Sequence, residues 1–346
     1  MSATVKNVKN IEALVCVEPG TLKLKTIAAP TLPHGFALVR PTRVGICGTD
    51  YHIFEGKHPF LQYPRIMGHE LAVEVLEAPE GSGLKLGQVY AVNPYLSCGE
   101  CVTCRAGKPN CCVKISVLGV HQDGGMAGLL ALPPQNLIWA EGLTADECAA
   151  VEFLAIGAHA VRRGGVRPGD RALIVGTGPI GLGAALFAKL SGAEVAIYDR
   201  DVERSKATAA LLGVSAIGAT EDVVATLNSF TGGDGFSIVF DATGNTKAME
   251  KGFDYVGAGG RYVLVSVVKD PVTFMDPDFH RKEMTLFGSR NATSEDFERV
   301  IAAIRSGQVP VDRIITHRTS LNGAVRDLPV WAQQKTGLIK AVIEIG

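Results

Sequence analysis

The sequence predicts an α/β protein of two domains, a β-rich N-terminal half followed by a doubly wound parallel sheet. Three observations carry that reading. The chain has 346 residues, 47% of them hydrophobic, which exceeds the ~250 residues at which single cores tend to split. Its first half is a series of short β-type runs, and its second half alternates β-type runs with helical stretches. That alternation is the pattern of a parallel sheet with crossover helices.

In chain order, Ile11 to Trp139 holds the runs IEALVCV, TLKLKTI, FALVRPT, ELAVEVLE, QVYAVNP and NLIWA, separated by Pro, Gly and Asn. After Gly142 the texture changes. TADECAAVEFLAIGAHAVRRGG is apolar at helical spacing, with Thr144 as its cap and Gly164-Gly165 as its stop. From Arg171 onward, RALIVG, EVAIYD, FSIVFDA, GRYVLVSV and MTLFGS alternate with helices such as LGAALFAKLSG and ERSKATAALLG. The tail past Ser294 opens with a helix, SEDFERVIAAIRSG, and closes on an apolar strand, IKAVIEI.

Composition excludes several function classes. A formal net charge of -1, a pI near 6.7 and evenly spread Lys and Arg leave no clustered basic face for nucleic acid. No uninterrupted apolar run reaches the ~18 residues of a membrane span. The opening MSATVKNVKN lacks the apolar stretch of a secretory leader. A cytoplasmic, reducing location follows as the expectation.

The most specific motif is SCGECVTCRAGKPNCC, in which Cys98, Cys101, Cys104 and Cys112 form a C-x2-C-x2-C-x7-C run. One short loop can wrap such a run round a tetrahedral thiolate site, as a structural zinc requires, with no position left for substrate. A disulfide framework is the weaker alternative, because disulfide density belongs to small secreted scaffolds and this long chain has only 8 cysteines. Cys111, beside Cys112, leaves the fourth ligand open at this point. Cys16 and Cys148, isolated in apolar surroundings, read as small buried hydrophobes.

A second motif, Gly176-Thr177-Gly178-Pro179-Ile180-Gly181, follows the strand RALIV and opens the helix LGAALFAKL. Such a loop turns tightly at Gly176, brings backbone close to a pyrophosphate at Gly178 and lets helix and strand pack at Gly181. Asp199 follows the next strand, at about the 20-residue separation of an acid that binds the adenosine ribose. A carboxylate there accepts from a free 2'-hydroxyl and repels a 2'-phosphate, so NAD is expected over NADP. Arg200, next to it, tempers that preference.

A third set is scattered: Cys47-Gly48-Thr49-Asp50, His52, Gly68-His69-Glu70 and Glu152. Taken together, GICGTDYH (45–52), MGHE (67–70), the cysteine run, Glu152 before GAHAVRR, and GTGPIG resemble the zinc-dependent medium-chain alcohol and polyol dehydrogenases over essentially the whole chain. The resemblance implies a GroES-like β-rich catalytic domain over 1–155 and 295–346, wrapped round a Rossmann domain over 156–294. It places the fourth structural ligand at Cys112, second after the Asn of G-x-x-N-x-C. It makes Cys47 and His69 ligands of a second, catalytic zinc, with Glu70 and Glu152 completing that site directly or through water. Such a zinc keeps a position open and acidifies a substrate hydroxyl. Thr49 would take up the substrate proton and His52 pass it toward solvent. For Lys340, the resemblance suggests an approach to the cofactor phosphates, and the residue pattern an edge-strand charge.

NCCVKISVLGVHQDGG, DPDFHRKE and GSRNAT further resemble the bacterial branch that oxidises L-galactonate or L-gulonate at C5. A polyhydroxy acid would need a cation and hydroxyl partners, and Lys57, His58, His121, His280 and Arg290 lie on loops that can supply them. Arg290 and Asn291 could instead touch nicotinamide. The expected protein is thus an enzyme with two zinc ions per chain and NAD, acting as a homo-oligomer, dimer or tetramer, on a small polyhydroxy substrate. A sorbitol-like polyol or L-threonine is the alternative substrate. A non-catalytic metabolite-binding protein is the alternative from another class.

Overall fold

The computed structural model describes residues 8–57, 61–218, 222–334 and 337–346. His58 and the N-terminal stretch before residue 8 lie outside them. The chain divides into two compact units, Met1–Glu152 with Thr293–Gly346, and Phe153–Ala292. Among the described residues, no helix is long and apolar enough to cross a membrane.

The first unit is built on a seven-stranded sheet. Its path runs Leu137–Trp139, Val89–Val92, Glu70–Glu77, Ala37–Ile46, Lys340–Glu344, Ile315–Ser320, and Leu130–Leu132 pairs with the outer end of Ala37–Ile46. The C-terminal tail therefore supplies two strands, and Lys340–Glu344 runs antiparallel to Ala37–Ile46. Glu70–Glu77 is buried along most of its length, so its apolar residues fill both faces. Pro41 lies inside Ala37–Ile46, where the pairing with Glu70–Glu77 shifts register between Pro41 and Arg43. A bulge is where a central strand tolerates a residue with no N–H to donate.

The helix Ala145–Gly164 begins where the sequence places it. Thr144 N donates to Glu147 Oε2 at 2.7 Å, and Glu147 N donates back to Thr144 Oγ1 at 3.3 Å, a reciprocal cap on otherwise orphan donors. Asp146, in its first turn, accepts from Arg43 at 2.9 Å and Arg318 at 2.6 Å. These bonds fix the helix start to the sheet, six residues before Glu152.

The second unit is a six-stranded parallel sheet in the order Ser215–Ile217, Glu194–Tyr198, Arg171–Val175, Phe236–Asp241, Val256–Leu264, Thr285–Gly288. Its first strand in sequence is central, so the strand order reverses beside it. That is where this architecture opens a ligand crevice.

Asp170, just before the central strand, ties the lower edge of this sheet together. It accepts from Arg261 at 2.6 Å, Ser237 Oγ at 2.9 Å and Arg167 N at 2.8 Å, while Arg261 also donates to Gly164 O at 2.8 Å. Burial alone would raise the Asp170 pKa, but these donors outweigh it and hold it below the usual carboxylate value. A depressed carboxylate contributes stability above its unfolded pKa, which is lost as pH falls through the folded value. Asp170→Asn should therefore cost about 1 to 3 kcal/mol near neutral pH. Denaturant melts should show that gap narrowing below about pH 4; a gap unchanged in acid would contradict the ionic account.

Candidate active site

Three sequence-distant elements converge on one buried point in the first unit. Cys47 follows the strand Ala37–Ile46 and is the N-cap of the short helix Gly48–Phe54. Asp50, in that helix's first turn, accepts from Cys47 N at 2.9 Å and from Gly68 N at 3.2 Å. One carboxylate thereby caps the helix and draws the Gly68-His69 loop against it. Ligand atoms of Cys47, His69 and Glu70 lie within 4.8 Å of one another. Glu152, on the helix Ala145–Gly164, falls outside that 4.8 Å set but is near enough for its charge to act on His69, and the Tyr95 hydroxyl donates to its Oε1.

The electrostatics of this pocket fit a cation. Asp50 and Glu70 are 0% exposed and Glu152 3%, and Lys340, at 1%, is the one buried lysine among the described residues. Burial pushes Glu152 up to about 7, with the nearby Glu70 charge adding to the effect. Burial opposes a charged His69, yet Asp50, Cys47 and Glu152 outweigh it and hold its pKa well above the usual imidazole value. His69 Nδ1 is buried with no hydrogen-bond partner, 3.9 Å from Asp50 Oδ1. A thiol, an imidazole whose Nδ1 has no hydrogen-bond partner and a carboxylate, with ligand atoms within 4.8 Å of one another, are a donor set suited to a divalent ion. Thr49 Oγ1 lies 3.9 Å from Cys47 Sγ, and His52 is exposed one turn further along the same helix.

Lys340 requires a correction. Its strand lies between Ala37–Ile46 and Ile315–Ser320, not at an edge. Its Nζ does not reach out to a cofactor but donates to Glu70 Oε1 at 2.7 Å, Glu70 Oε2 at 2.8 Å and Ile46 O at 3.1 Å.

The cysteine lobe is the second donor cluster. Cys98, Cys101, Cys104 and Cys112 place their Sγ atoms within 4.8 Å of one another, and Cys111 is exposed. The separations are 3.4 Å for Cys101–Cys104, 3.4 Å for Cys98–Cys112 and 3.8 Å for Cys101–Cys112. These exceed the ~2.05 Å of a disulfide and approach the edge of a tetrahedron with ~2.3 Å metal–sulfur bonds, about 3.8 Å. Cys112 Sγ accepts from Cys98 N at 3.3 Å and Lys114 N at 3.4 Å. These N–H groups favour thiolate and lower the Cys112 pKa.

In the second unit, Gly176 turns at φ +89°, and a Cβ on Gly181 would lie 1.8 Å from Gly176 O. A Cβ on Gly178 would meet nothing within 4 Å. Gly178 caps the helix Pro179–Leu190, with Pro179 and Ile180 opening its first turn, so unpaired N–H groups face a clear space suited to a pyrophosphate. Asp199 Oδ2 accepts from Thr177 N at 2.7 Å and Thr177 Oγ1 at 2.9 Å. The arginine on this carboxylate is Arg204, with Nη2 2.9 Å from both oxygens. Arg200 is exposed.

The expected substrate contacts are divided between the two units. In the first unit, Lys57 pairs with Glu55 at 2.9 Å, and His121 Nδ1 accepts from Val117 N at 3.1 Å. In the second, His280 and Arg290 are exposed. Sequence reasoning missed Tyr95 and Arg204 as site partners, and it missed the anchoring role of Asp50, whose only signal was its place in CGTD.

Comparison with known proteins agrees with this geometry. The zinc-binding dehydrogenase family pattern matches residues 179–306 and the alcohol dehydrogenase GroES-like domain matches 33–142. The chain is 42% identical over 310 residues to L-galactonate-5-dehydrogenase of Escherichia coli K12, covering 89% of this chain and 91% of the relative. It is 33% identical to 2-dehydro-3-deoxy-L-galactonate 5-dehydrogenase of Pseudoalteromonas atlantica, covering 79% and 81%. A crystal structure of an alcohol dehydrogenase, RspB, from E. coli CFT073 with NADH superimposes with a TM-score of 0.90 at 26% identity, covering 97% and 99%. The chain belongs to the zinc-binding, GroES-like alcohol dehydrogenase family and is an oxidoreductase.

Proposed function

We propose that this enzyme oxidises a secondary alcohol of a sugar acid, L-galactonate or L-gulonate in type, at C5, with zinc and NAD as cofactors. The observation that carries the chemistry is the convergence of Cys47, His69 and Glu70 beside the Thr49 hydroxyl. The substrate class draws its support from the 42% identity to L-galactonate-5-dehydrogenase. Cys47 and His69 hold the catalytic zinc, Glu70 and Glu152 complete its surroundings, and Cys98, Cys101, Cys104 and Cys112 hold a structural zinc. When bound, zinc acts as a Lewis acid on the alcohol oxygen and NAD accepts the hydride.

The chain's own residues handle the rest. The Thr49 hydroxyl accepts the alcohol proton and hands it toward His52, which releases it to solvent. Asp50 holds Cys47 and the His69 loop in register, and Tyr95 orients Glu152. The backbone from Gly176 to Gly181 cradles the pyrophosphate, and Asp199 accepts from the adenosine ribose. A homo-oligomer working in the cytoplasm completes the proposal, the former supported by the open outer strand Thr285–Gly288 with Leu286 exposed.

The test is NAD reduction over a panel of aldonates, alditols and amino acids. L-Galactonate or L-gulonate should give the highest kcat/KM; faster turnover of sorbitol or L-threonine would replace this substrate with the alternative. NAD should be preferred to NADP in the same assay. Asp199→Ala should raise KM for NAD about tenfold, or about 1.4 kcal/mol, with little change in kcat, and should release Arg204 to meet a 2'-phosphate. Equal efficiency with both cofactors in the parent enzyme would refute the NAD assignment.

A further inference from the structure

We propose that Lys340 is a positioning residue that holds Glu70 off the catalytic metal and so keeps a coordination position open; this rests on the zinc reading of Cys47 and His69. A Glu70 oxygen lies within 4.8 Å of a Cys47 and a His69 ligand atom, near enough to serve as a further ligand. Both oxygens of that carboxylate are engaged elsewhere, by Lys340 Nζ at 2.7 and 2.8 Å. The third Nζ donor meets Ile46 O at 3.1 Å, so three protons face three acceptors. A lysine 1% exposed is costly to bury and persists only when paired and fully bonded.

The surrounding backbone is shaped for this arrangement. Gly45 pairs directly with Glu70 across adjacent strands, and a Cβ at Gly45 would stand 2.1 Å from Glu70 Oε2. Glycine there leaves the carboxylate room to lie back against Lys340. Three strands distant in sequence, carrying Gly45 and Ile46, Glu70, and Lys340, thus combine to restrain one side chain. The restraint matters because a metal site filled by protein ligands is closed to substrate, whereas a catalytic one keeps a position free. Partners that orient ligating groups typically change metal affinity 10- to 100-fold when lost.

The experiment follows zinc release from the intact enzyme into excess chelator, with the phase that disappears in Cys47→Ser assigned to this site. Lys340→Met should slow that phase at least about 10-fold and reduce turnover, because the freed Glu70 closes onto the metal. Lys340→Arg should release zinc at the parent rate. Combining Lys340→Met with Glu70→Gln should restore parent release, a reversal that a purely structural ion pair would not produce. Should Lys340→Met fail to fold, Glu70→Gln alone decides: release at the parent rate supports the restraint, and release accelerated about tenfold identifies Glu70 as a ligand and overturns it. Faster release from Lys340→Met overturns it as well. A parent enzyme with no zinc phase sensitive to Cys47→Ser would sink the metal reading first, and this proposal with it.

Discussion

Thr49→Ala is expected to lower turnover by about 100- to 10,000-fold, the range of a lost general acid–base contribution, while both zinc ions remain bound. Thr49 Oγ1 is 3.9 Å from Cys47 Sγ, which sets its hydroxyl beside the proposed metal without making it a ligand. The side chain is only partly buried, so truncation removes little packing and the fold should be indifferent to it. Thr49→Ser keeps the hydroxyl and should be mild. His52 follows three residues later, on the same side of the helix Gly48–Phe54, and is exposed. An imidazole both accepts and donates protons near neutral pH. His52→Ala should therefore slow turnover most at lower pH, where stripping the alcohol proton is hardest. Steady-state kcat across pH, read beside metal content, separates the outcomes. A Thr49→Ala enzyme that loses zinc would make Thr49 a structural support for Cys47, and a His52→Ala enzyme with the parent pH profile would remove His52 from the relay.

What the sequence disclosed about this site follows from how local each feature is. The cysteine lobe and the Gly176–Gly181 loop are contiguous, so ligand spacing and the strand–loop–helix context were sufficient to read them, except that the choice of Cys112 over Cys111 came from the family resemblance. Cys47, His69, Glu70 and Glu152 are not contiguous, and each has a bland reading when taken alone; the family resemblance assembled them. The Lys340–Glu70 pair spans 270 residues and the Tyr95–Glu152 bond 57. No periodicity encodes contacts that depend on which strands the sheet brings side by side. Lys340 illustrates the limit: a charged residue opening an apolar strand looks like an edge charge until the tail strand is inserted beside Ala37–Ile46. Arg204 illustrates a smaller one. Arg200 is nearer to Asp199 in sequence, but Asp201 caps the following helix, and the turn it starts brings Arg204 back over the carboxylate. Asp50 was visible as a letter in CGTD, whereas its second bond, to Gly68 N, belongs to tertiary structure alone.

Cys104→Ser should reduce the zinc content from two ions per chain to one and cost about 4 kcal/mol or more, the range reached by losing a metal. The reason lies in how little else holds the lobe together. From Leu96 to Val117, only Asn110 and Cys112 are buried, while Val102 is 65% and Val113 70% exposed. Regular structure there amounts to the helix Val102–Arg105, a 3-10 turn at Pro109–Cys111 and the paired ends Tyr95–Leu96 and Ser116–Val117. The exposed Lys114–Glu100 ion pair, at 2.8 Å, adds little in water. With no apolar core, the four thiolates and the metal proposed for them are the main cohesive element of this segment. Removing one ligand should therefore open it to proteolysis between Cys98 and Cys112 before the rest of the chain unfolds. Limited proteolysis with metal analysis checks this directly. The Cys47 site should keep its zinc, so residual activity should fall with the folded fraction and leave KM unchanged. A Cys104→Ser protein with two zinc ions and parent thermal stability would show that the lobe holds itself together without its metal.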